Sequence, residues 1–191
     1  GTIKIMRNES IDNQKWDSGN SNAWETSDIK TYLNDTYLPT ITTNQDKIVS
    51  HTWSIGGVTN GNRDLADQIN DENGIQSQNV SVGMITASEY LRANTNTEQC
   101  GNLSINNTNY TTCKTTNWMY SIVPSNAYLW TISPNDGGSS AVFFVSGFRS
   151  NAGWLSSTSA SLSGGVSPVL YLSSDITLSG SGTSSDPYKI N

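Results

Sequence analysis

Two short patterns in this chain contain residue types that act as nucleophile and base in hydrolases. His51 follows Ser50, and carboxylates are frequent, so a Ser–His–Asp arrangement can be drawn. The chain has no G-x-S-x-G elbow, however, and His51 is its single histidine, which would have to serve as the sole base. A partly buried structural imidazole is the simpler interpretation of His51.

The second pattern is S-x-x-K, formed by Ser27 and Lys30, which is the nucleophile motif of penicillin-interacting enzymes. The companion S-D-N and K-T-G elements are absent from the sequence. Ser27 is more simply explained as a helix N-cap, with Lys30 exposed in the first turn. We therefore predict a protein without catalytic residues and without a cofactor.

Oxygen-rich side chains that bind metal ions in other proteins occur in residues 64–74, DLADQINDENG, and in residues 133–136, SPND. Neither segment has the spacing of an EF-hand loop. We interpret the oxygen-rich segments as solvated turns. His51 is remote from the two cysteines, and two cysteines alone do not make a tetrahedral zinc site, so we predict no metal ligands.

The two cysteines, Cys100 and Cys113, enclose a polar segment rich in Asn and Thr. A disulfide bond closing this loop is the favoured interpretation, and two unpaired buried thiols are the alternative. A disulfide bond implies an oxidising compartment, so we expect an extracellular or cell-surface location.

The composition restricts the classes of partner. The chain has 191 residues, a net charge of −6 and only 10 Lys and Arg, so it cannot assemble the cationic face that nucleic acid requires. Charged residues make up only 14% of the chain, but 6 Trp, 8 Tyr and 3 Phe argue against disorder. The sequence favours one loop-rich domain over residues 1–191.

Hydrophobic periodicity places the first elements. The alternation of apolar and polar residues predicts a strand over residues 3–6. The i, i+3, i+4 spacing of apolar residues that begins at Ile29 predicts a helix capped by Thr26 or Ser27. A short helix or turn is predicted over residues 48–53, and a glycine-rich loop is predicted over residues 56–61.

The middle of the chain predicts one strand and one helix. Residues 80–85 alternate as a strand does, and Thr86 with Glu89 forms a capping-box pattern that opens a second short helix.

After Cys113 the pattern becomes that of a β protein. Short strands are predicted over residues 128–132, 141–148 and 166–172, joined by turns rich in Gly, Ser and Asn. Residues 174–191 form a closing tail that ends in a last short strand. The predicted fold class is α+β, with two short helices and an antiparallel sheet.

The order of these segments resembles a family of secreted and surface proteins of gut-dwelling Firmicutes. The resemblance is carried by blocks along nearly the whole chain: IKIMRNESI, WETSDIKTYLND, VSVGMITASEYLRA, NWMYSI, LWTISPN, VFFVSG, GVSPVLYLSSDI and GSGTSSDPYKI. That family is similar to the C-type-lectin fold of formylglycine-generating-enzyme-like domains and of the variable proteins of diversity-generating retroelements. Some of its members follow type IV prepilin leaders.

The resemblance implies a C-type-lectin-like domain in which two short helices flank a small antiparallel sheet. It implies a non-enzymatic ligand-binding or adhesion module on a bacterial surface or pilus, which binds a protein or glycan on another cell or host surface. A pilin-like or filament-forming subunit that self-assembles through a pilus or stalk is the alternative.

A lectin-fold enzyme, such as a formylglycine-generating-like oxidase, is the third interpretation. Cys100 and Cys113 do not lie in the late motif where that activity places its thiols. The lectin calcium triplets Glu-Pro-Asn, Gln-Pro-Asp and Trp-Asn-Asp are also absent.

The segment FFVSGFRSNAGW, residues 143–154, is the predicted ligand-binding region. Within it, Phe148, Arg149, Asn151 and Trp154 are residue types that commonly contact ligands in binding surfaces. We expect the small residues around them to let these side chains project without crowding. The alternative, equally open from the sequence, is that Phe148 and Trp154 plug the end of the sheet.

Overall fold

A computed structural model of the protein describes residues 1–59, 64–96, 100, 110–181, 186 and 188–190. Short helices and several sheets make up this part of the chain, which confirms the α+β class. Its strands are β1 (Ile3–Met6), β2 (Asp12–Lys15), β3 (Ile48–Val49), β4 (His51–Ser54), β5 (Gln76–Val80), β6 (Val82–Gly83), β7 (Tyr128–Pro134), β8 (Ala141–Ser146), β9 (Leu155–Ser159), β10 (Ser163–Val166), β11 (Val169–Leu172), β12 (Leu178–Ser179) and β13 (Lys189–Ile190). Its α-helices are α1 (Asp28–Thr31), α2 (Leu65–Gly74), α3 (Ala87–Arg92) and α4 (Tyr110–Cys113).

The remaining helical segments are short and of other types. A π-helix, Tyr32–Tyr37, continues α1 directly. The 3₁₀ turns are Trp24–Thr26, Leu38–Thr40, Gln45–Lys47, Lys114–Thr116 and Trp118–Ile122. None of the helices among the described residues is long and apolar enough to cross a membrane.

The first sheet joins the beginning of the chain to its late part. Strand β1 pairs antiparallel with β11, with Ile3 opposite Leu172 and Met6 opposite Val169. The other side of β11 pairs with β3 and β6. Strand β11 is therefore central, and β1 lies at one edge of the sheet.

The second sheet has the strand order β2-β10-β7-β8-β9. Strands β7, β8 and β9 form an antiparallel meander, whereas β10 meets β7 in a parallel contact at Gly165. In β10, a Cβ atom on Gly164 would lie only 2.7 Å from the indole nitrogen of Trp130, so glycine is required there. Two smaller ribbons pair β4 with β5 and β12 with β13, and the latter ribbon lies in the closing tail.

The core is built on large aromatic side chains. Trp16, Trp24, Trp130 and Phe143 are almost completely removed from solvent and belong to one hydrophobic cluster. The Trp16 indole donates to the carbonyl of Thr131 at 3.1 Å, so its polar edge is satisfied inside the core.

Both predicted helix starts are confirmed. The Ser27 hydroxyl accepts a hydrogen bond from the Lys30 amide at the start of α1, which is the role of an N-cap. Thr86 and Glu89 form the complete capping box of α3. Such caps satisfy amides that have no partner within the helix, and this is why the local sequence was sufficient to predict them.

The prediction for residues 48–53 is wrong. They form β3 and the beginning of β4, because Ile48 and Val49 pair with β11 while His51 and Trp53 pair with β5. The partner strands lie elsewhere in the sequence, so the local pattern did not reveal them. The β-branched side chains of Ile48 and Val49 fit a pleated sheet.

Two strands predicted as continuous are each divided between sheets. Residues 80–85 separate into the end of β5 and β6, which pair with different strands. Residues 166–172 separate at Ser167 and Pro168, because proline has no amide hydrogen to continue a ladder. The strand predicted over 141–148 ends at Ser146, and β9 was not predicted.

The expected solvated turn over residues 64–74 is a helix, α2. The Asp64 side chain caps it by accepting from the Ala66 amide, and Leu65 is buried while Ile69 packs on the core. The architecture is also larger than predicted. It has four α-helices among the described residues instead of two, and two multi-stranded sheets instead of a small antiparallel one.

Candidate functional site

The β8–β9 loop, residues 147–154, contains all four predicted contact residues. At its first end, the Gly147 amide donates to the Ala127 carbonyl at 2.8 Å, and the Gly147 carbonyl accepts from Asn126 at 3.0 Å. A Cβ atom on Gly147 would lie 1.9 Å from the Pro124 carbonyl oxygen. Only glycine permits this close approach, so the preceding turn fixes the start of the loop.

The second end of the loop is fixed at Gly153. Its amide donates to the Ser146 carbonyl at 2.7 Å, and its carbonyl accepts from the Tyr90 hydroxyl at 3.1 Å. Gly153 has a φ of +89°, and a Cβ atom there would lie 2.4 Å from the Lys114 Cβ. Both the backbone conformation and the packing therefore require glycine.

The middle of the loop is held by its own polar groups. The buried Ser146 hydroxyl donates to the Asn151 side-chain oxygen at 2.7 Å. The Asn151 amide donates to the Phe148 carbonyl at 3.0 Å, and the Trp154 amide donates to the Asn151 carbonyl at 2.9 Å. The backbone between the two glycines is therefore fixed by hydrogen bonds.

The predicted contact residues divide into two pairs. Phe148 and Arg149 are exposed, whereas Asn151 and Trp154 are half-buried. The Phe148 ring is 37% exposed, and it also meets the Tyr128 ring edge-on at a centroid distance of 5.2 Å. Arg149 forms no ion pair within the described part of the chain. Asn151 serves the loop itself, so Phe148 and Arg149 are the two predicted contact residues that the structure exposes.

The small residues in the loop have a different role from the one expected. They were expected to surround the projecting side chains without crowding them. Gly147, Ala152 and Gly153 are instead buried, and only Ser150 is exposed. The small residues allow the loop backbone to pack against its neighbours, and this packing turns Phe148 and Arg149 outward.

The predicted disulfide bond between Cys100 and Cys113 is confirmed, with Cα atoms 5.8 Å apart. The Cys113 carbonyl accepts from the Asn94 side chain at 2.5 Å. Lys114, the next residue, packs against Gly153 of the β8–β9 loop. The disulfide bond therefore anchors the segment that supports one end of the loop.

The residues considered for hydrolase chemistry lie elsewhere. The Ser27 hydroxyl donates to the Trp24 carbonyl at 2.9 Å, and Lys30 forms an ion pair with Glu25. The His51 ring stacks on Tyr171 at a centroid distance of 3.7 Å. These contacts give Ser27 and His51 structural roles.

The two oxygen-rich segments considered for calcium meet inside the protein. The carboxylate of Glu72 in α2 accepts from the Ser133 hydroxyl at 2.7 Å and from the Ser88 amide at 3.1 Å. Burial raises the pKa of Glu72, and the hydrogen bonds from Ser133 and Ser88 oppose that shift. The side chain of Gln68, one turn earlier in α2, is fully buried and has no hydrogen-bond partner among the residues that the structure describes. Within the described ranges, no cluster of three or more His, Cys, Asp or Glu residues could hold a metal ion.

No family model, curated protein or solved structure matches this chain. The function must therefore be inferred from the chemistry and geometry of the residues themselves.

A second exposed surface was not predicted from the sequence. Trp118 is exposed beside a groove of about 380 Å³, which is lined by Met6, Ile85, Met119 and Ile122 among others. We call it the Trp118 groove. An isolated tryptophan among polar residues gives no signal of exposure, because most of the other tryptophans of this chain are buried in similarly polar sequence.

Proposed function

We propose that the protein is an extracellular, non-enzymatic recognition module with a C-type-lectin-like fold, displayed on a bacterial surface or pilus. In this proposal the β8–β9 loop binds a protein or glycan on another cell or host surface. The observation that carries the proposal is the outward display of Phe148 and Arg149 from a backbone fixed on both sides.

One feature of the structure supports a lectin-like architecture, and another supports an extracellular location. The pairing of β1 with β11 brings the beginning and the late part of the chain side by side, so that the intervening segments extend from a closed base. The disulfide bond, in turn, supports an oxidising location outside the cytoplasm. Both features accord with the sequence resemblance.

The chemistry of the two exposed side chains favours recognition over catalysis. A guanidinium group donates paired hydrogen bonds to carboxylates and phosphates, and Arg149 offers this group on a chain with a net charge of −6. An aromatic ring offers a flat apolar face, and Phe148 does so with its position restrained by Tyr128. A sialylated or otherwise acidic glycan, or an acidic protein surface, would satisfy both groups.

The test compares Phe148→Ala and Arg149→Ala with Leu162→Ala. Leu162 is a matched control, since it is 43% exposed and lies in the β9–β10 connection, away from the loop. Binding to a glycan array, to immobilised mucin and to host cells is measured for each variant. We expect at least a tenfold loss of binding for both loop variants, with no change for Leu162→Ala.

The proposal fails if both loop variants fold normally and bind as well as the parent protein. Electron microscopy of surface material from the native cells provides a separate check. A regular polymer of this chain would favour the pilin-like alternative.

A further inference from the structure

The outer side of β1 is an open sheet edge. The Arg7 amide donates to the Pro168 carbonyl at 2.9 Å, in register with the β1–β11 ladder. Hydrogen-bonded and non-hydrogen-bonded pairs alternate in an antiparallel ladder, so Ile3 and Ile5 also bond to β11. The amides and carbonyls of Lys4 and Met6 therefore point away from β11, and no strand among the described residues pairs with them.

Apolar grooves lie on both faces of this edge. The Trp118 groove is lined by Lys4, Ile5 and Met6 of β1. A second groove, of about 430 Å³, is lined by Ile5, Met6 and Arg7 together with Tyr37 and others. Along the strand, Lys4 and Met6 share one face, and Ile5 and Arg7 share the other. A strand added to β1 would direct alternate side chains towards the two grooves, and this is the geometry of strand-addition sites.

We propose that a second copy of this chain occupies the edge, with the two β1 strands paired antiparallel about Ile5. In this register Lys4 lies opposite the second copy's Met6, and the two residues exchange backbone hydrogen bonds. The two Ile5 side chains face each other, and each is 39% exposed in the single chain. The symmetry closes the assembly at two copies, so it forms a dimer and not a filament.

The local charge supports a second copy as the occupant. Two chains of net charge −6 repel, but at this edge Lys4 pairs with Glu89, and Arg7 pairs with Glu9 at 2.7 Å. These ion pairs leave the edge nearly neutral, so two copies can meet here without electrostatic repulsion between like charges. Pairing about Lys4 would place like charges directly opposite, whereas pairing about Ile5 places Lys4 opposite Met6.

The first test uses proline to remove only the outward amide. Lys4→Pro deletes the Lys4 amide hydrogen, which is not part of the β1–β11 ladder, and prolines are tolerated at such edge positions. Lys4→Ala is the control, because it removes the side chain and its ion pair but keeps the amide. Sedimentation over a concentration series should show a dimer for the parent and a slightly weaker dimer for Lys4→Ala, whose unpaired Glu89 adds a negative charge to the edge of each copy. For Lys4→Pro we expect a dimer at least tenfold weaker than that of Lys4→Ala.

The second test uses cysteines and does not depend on the proline variant folding. Ile5→Cys should form a disulfide-linked dimer on mild oxidation, because directly opposite Cα atoms lie about 4.5 Å apart in such a pair. Ile3→Cys should not, because the two Ile3 positions would be about 13 Å apart along the strands.

A parent protein that stays monomeric up to its solubility limit overturns the proposal, and so does equal cross-linking of the two cysteine variants. A dimer that Lys4→Pro leaves unchanged places the contact elsewhere and also overturns it. Loss of glycan or mucin binding in Phe148→Ala is independent of these results, because the β8–β9 loop is not part of the edge.

Discussion

The β8–β9 loop and the outer edge of β1 both expose apolar side chains, yet they leave different chemical groups available to a partner. The loop leaves side chains available, and the edge leaves backbone amides and carbonyls available. In the loop, the side chains of Ser146 and Asn151 hydrogen-bond to each other, and the side chains of Phe148 and Arg149 are exposed. At the edge of β1, the backbone groups of Lys4 and Met6 pair with no strand in the described part of the chain, while the Lys4 side chain is bound to Glu89.

Under the two proposals, this difference determines what each surface would recognise. The ligand specificity of a surface built from side chains changes when its residues change. An open strand edge, by contrast, binds any strand whose side chains fit the flanking grooves. The loop is therefore suited to a specific foreign ligand, and the edge is suited to a partner with the same pairing pattern.

The largest expected effect separates the loop from the core with two phenylalanines of the same hairpin. Phe143 in β8 is completely buried, so Phe143→Ala should cost about 3–5 kcal/mol of unfolding free energy. Phe148→Ala should cost only about 1 kcal/mol, mainly from its edge contact with Tyr128. Urea denaturation of both variants measures the difference. Equal losses would make Phe148 a core residue and would remove the contrast with the edge.

A smaller effect is expected from the disulfide bond, which supports the loop but not β1. Replacing Cys100 and Cys113 by serine should cost about 3 kcal/mol, because the bond closes a loop with a sequence separation of 13 residues. Hydrogen exchange should accelerate most at Gly153, whose neighbour Lys114 follows Cys113 directly. If β1 exchanges faster while the loop does not, the support that we assign to the disulfide bond is incorrect.

The smallest effect concerns the hydrogen bond that holds the loop. Asn151→Ala leaves the buried Ser146 hydroxyl without its acceptor and should cost about 1–2 kcal/mol. Ligand binding should weaken as well, because Phe148 and Arg149 would no longer be held in one arrangement. Thermal unfolding and the glycan and mucin assays measure the two effects. Full binding by a destabilised Asn151→Ala would show that recognition does not need the fixed backbone.

Local signals in the sequence were reliable wherever the interaction was itself local. The N-cap at Ser27 and the capping box of Thr86 and Glu89 involve residues within one helical turn, so their spacing was sufficient. The strand at residues 3–6 was likewise visible from alternation, and the strand at residues 128–132 was visible from the turn residues that separate the late strands. The disulfide bond between Cys100 and Cys113 was predicted because the chain has only two cysteines and both lie in a polar segment.

Helix α2 shows where the composition misled the prediction. Its acidic and amide residues resemble a solvated turn, but Leu65 packs in the core and Glu72 is buried against Ser133. The two hydrogen-bond partners of Glu72, Ser88 and Ser133, lie 16 and 61 residues later in the chain, so no local pattern could reveal that this polar side chain is inside the protein.

The sequence by itself determined the α+β class, both helix caps, the disulfide bond and the segment that contains the exposed Phe148 and Arg149. The tertiary structure alone decided which side chains of that segment face outward, because contacts with Tyr90, Lys114 and the turn before β7 fix the loop. It also decided that β1 lies at an edge. A strand's own residues specify its pleat and alternation, but the number of its neighbours depends on how distant strands assemble around it.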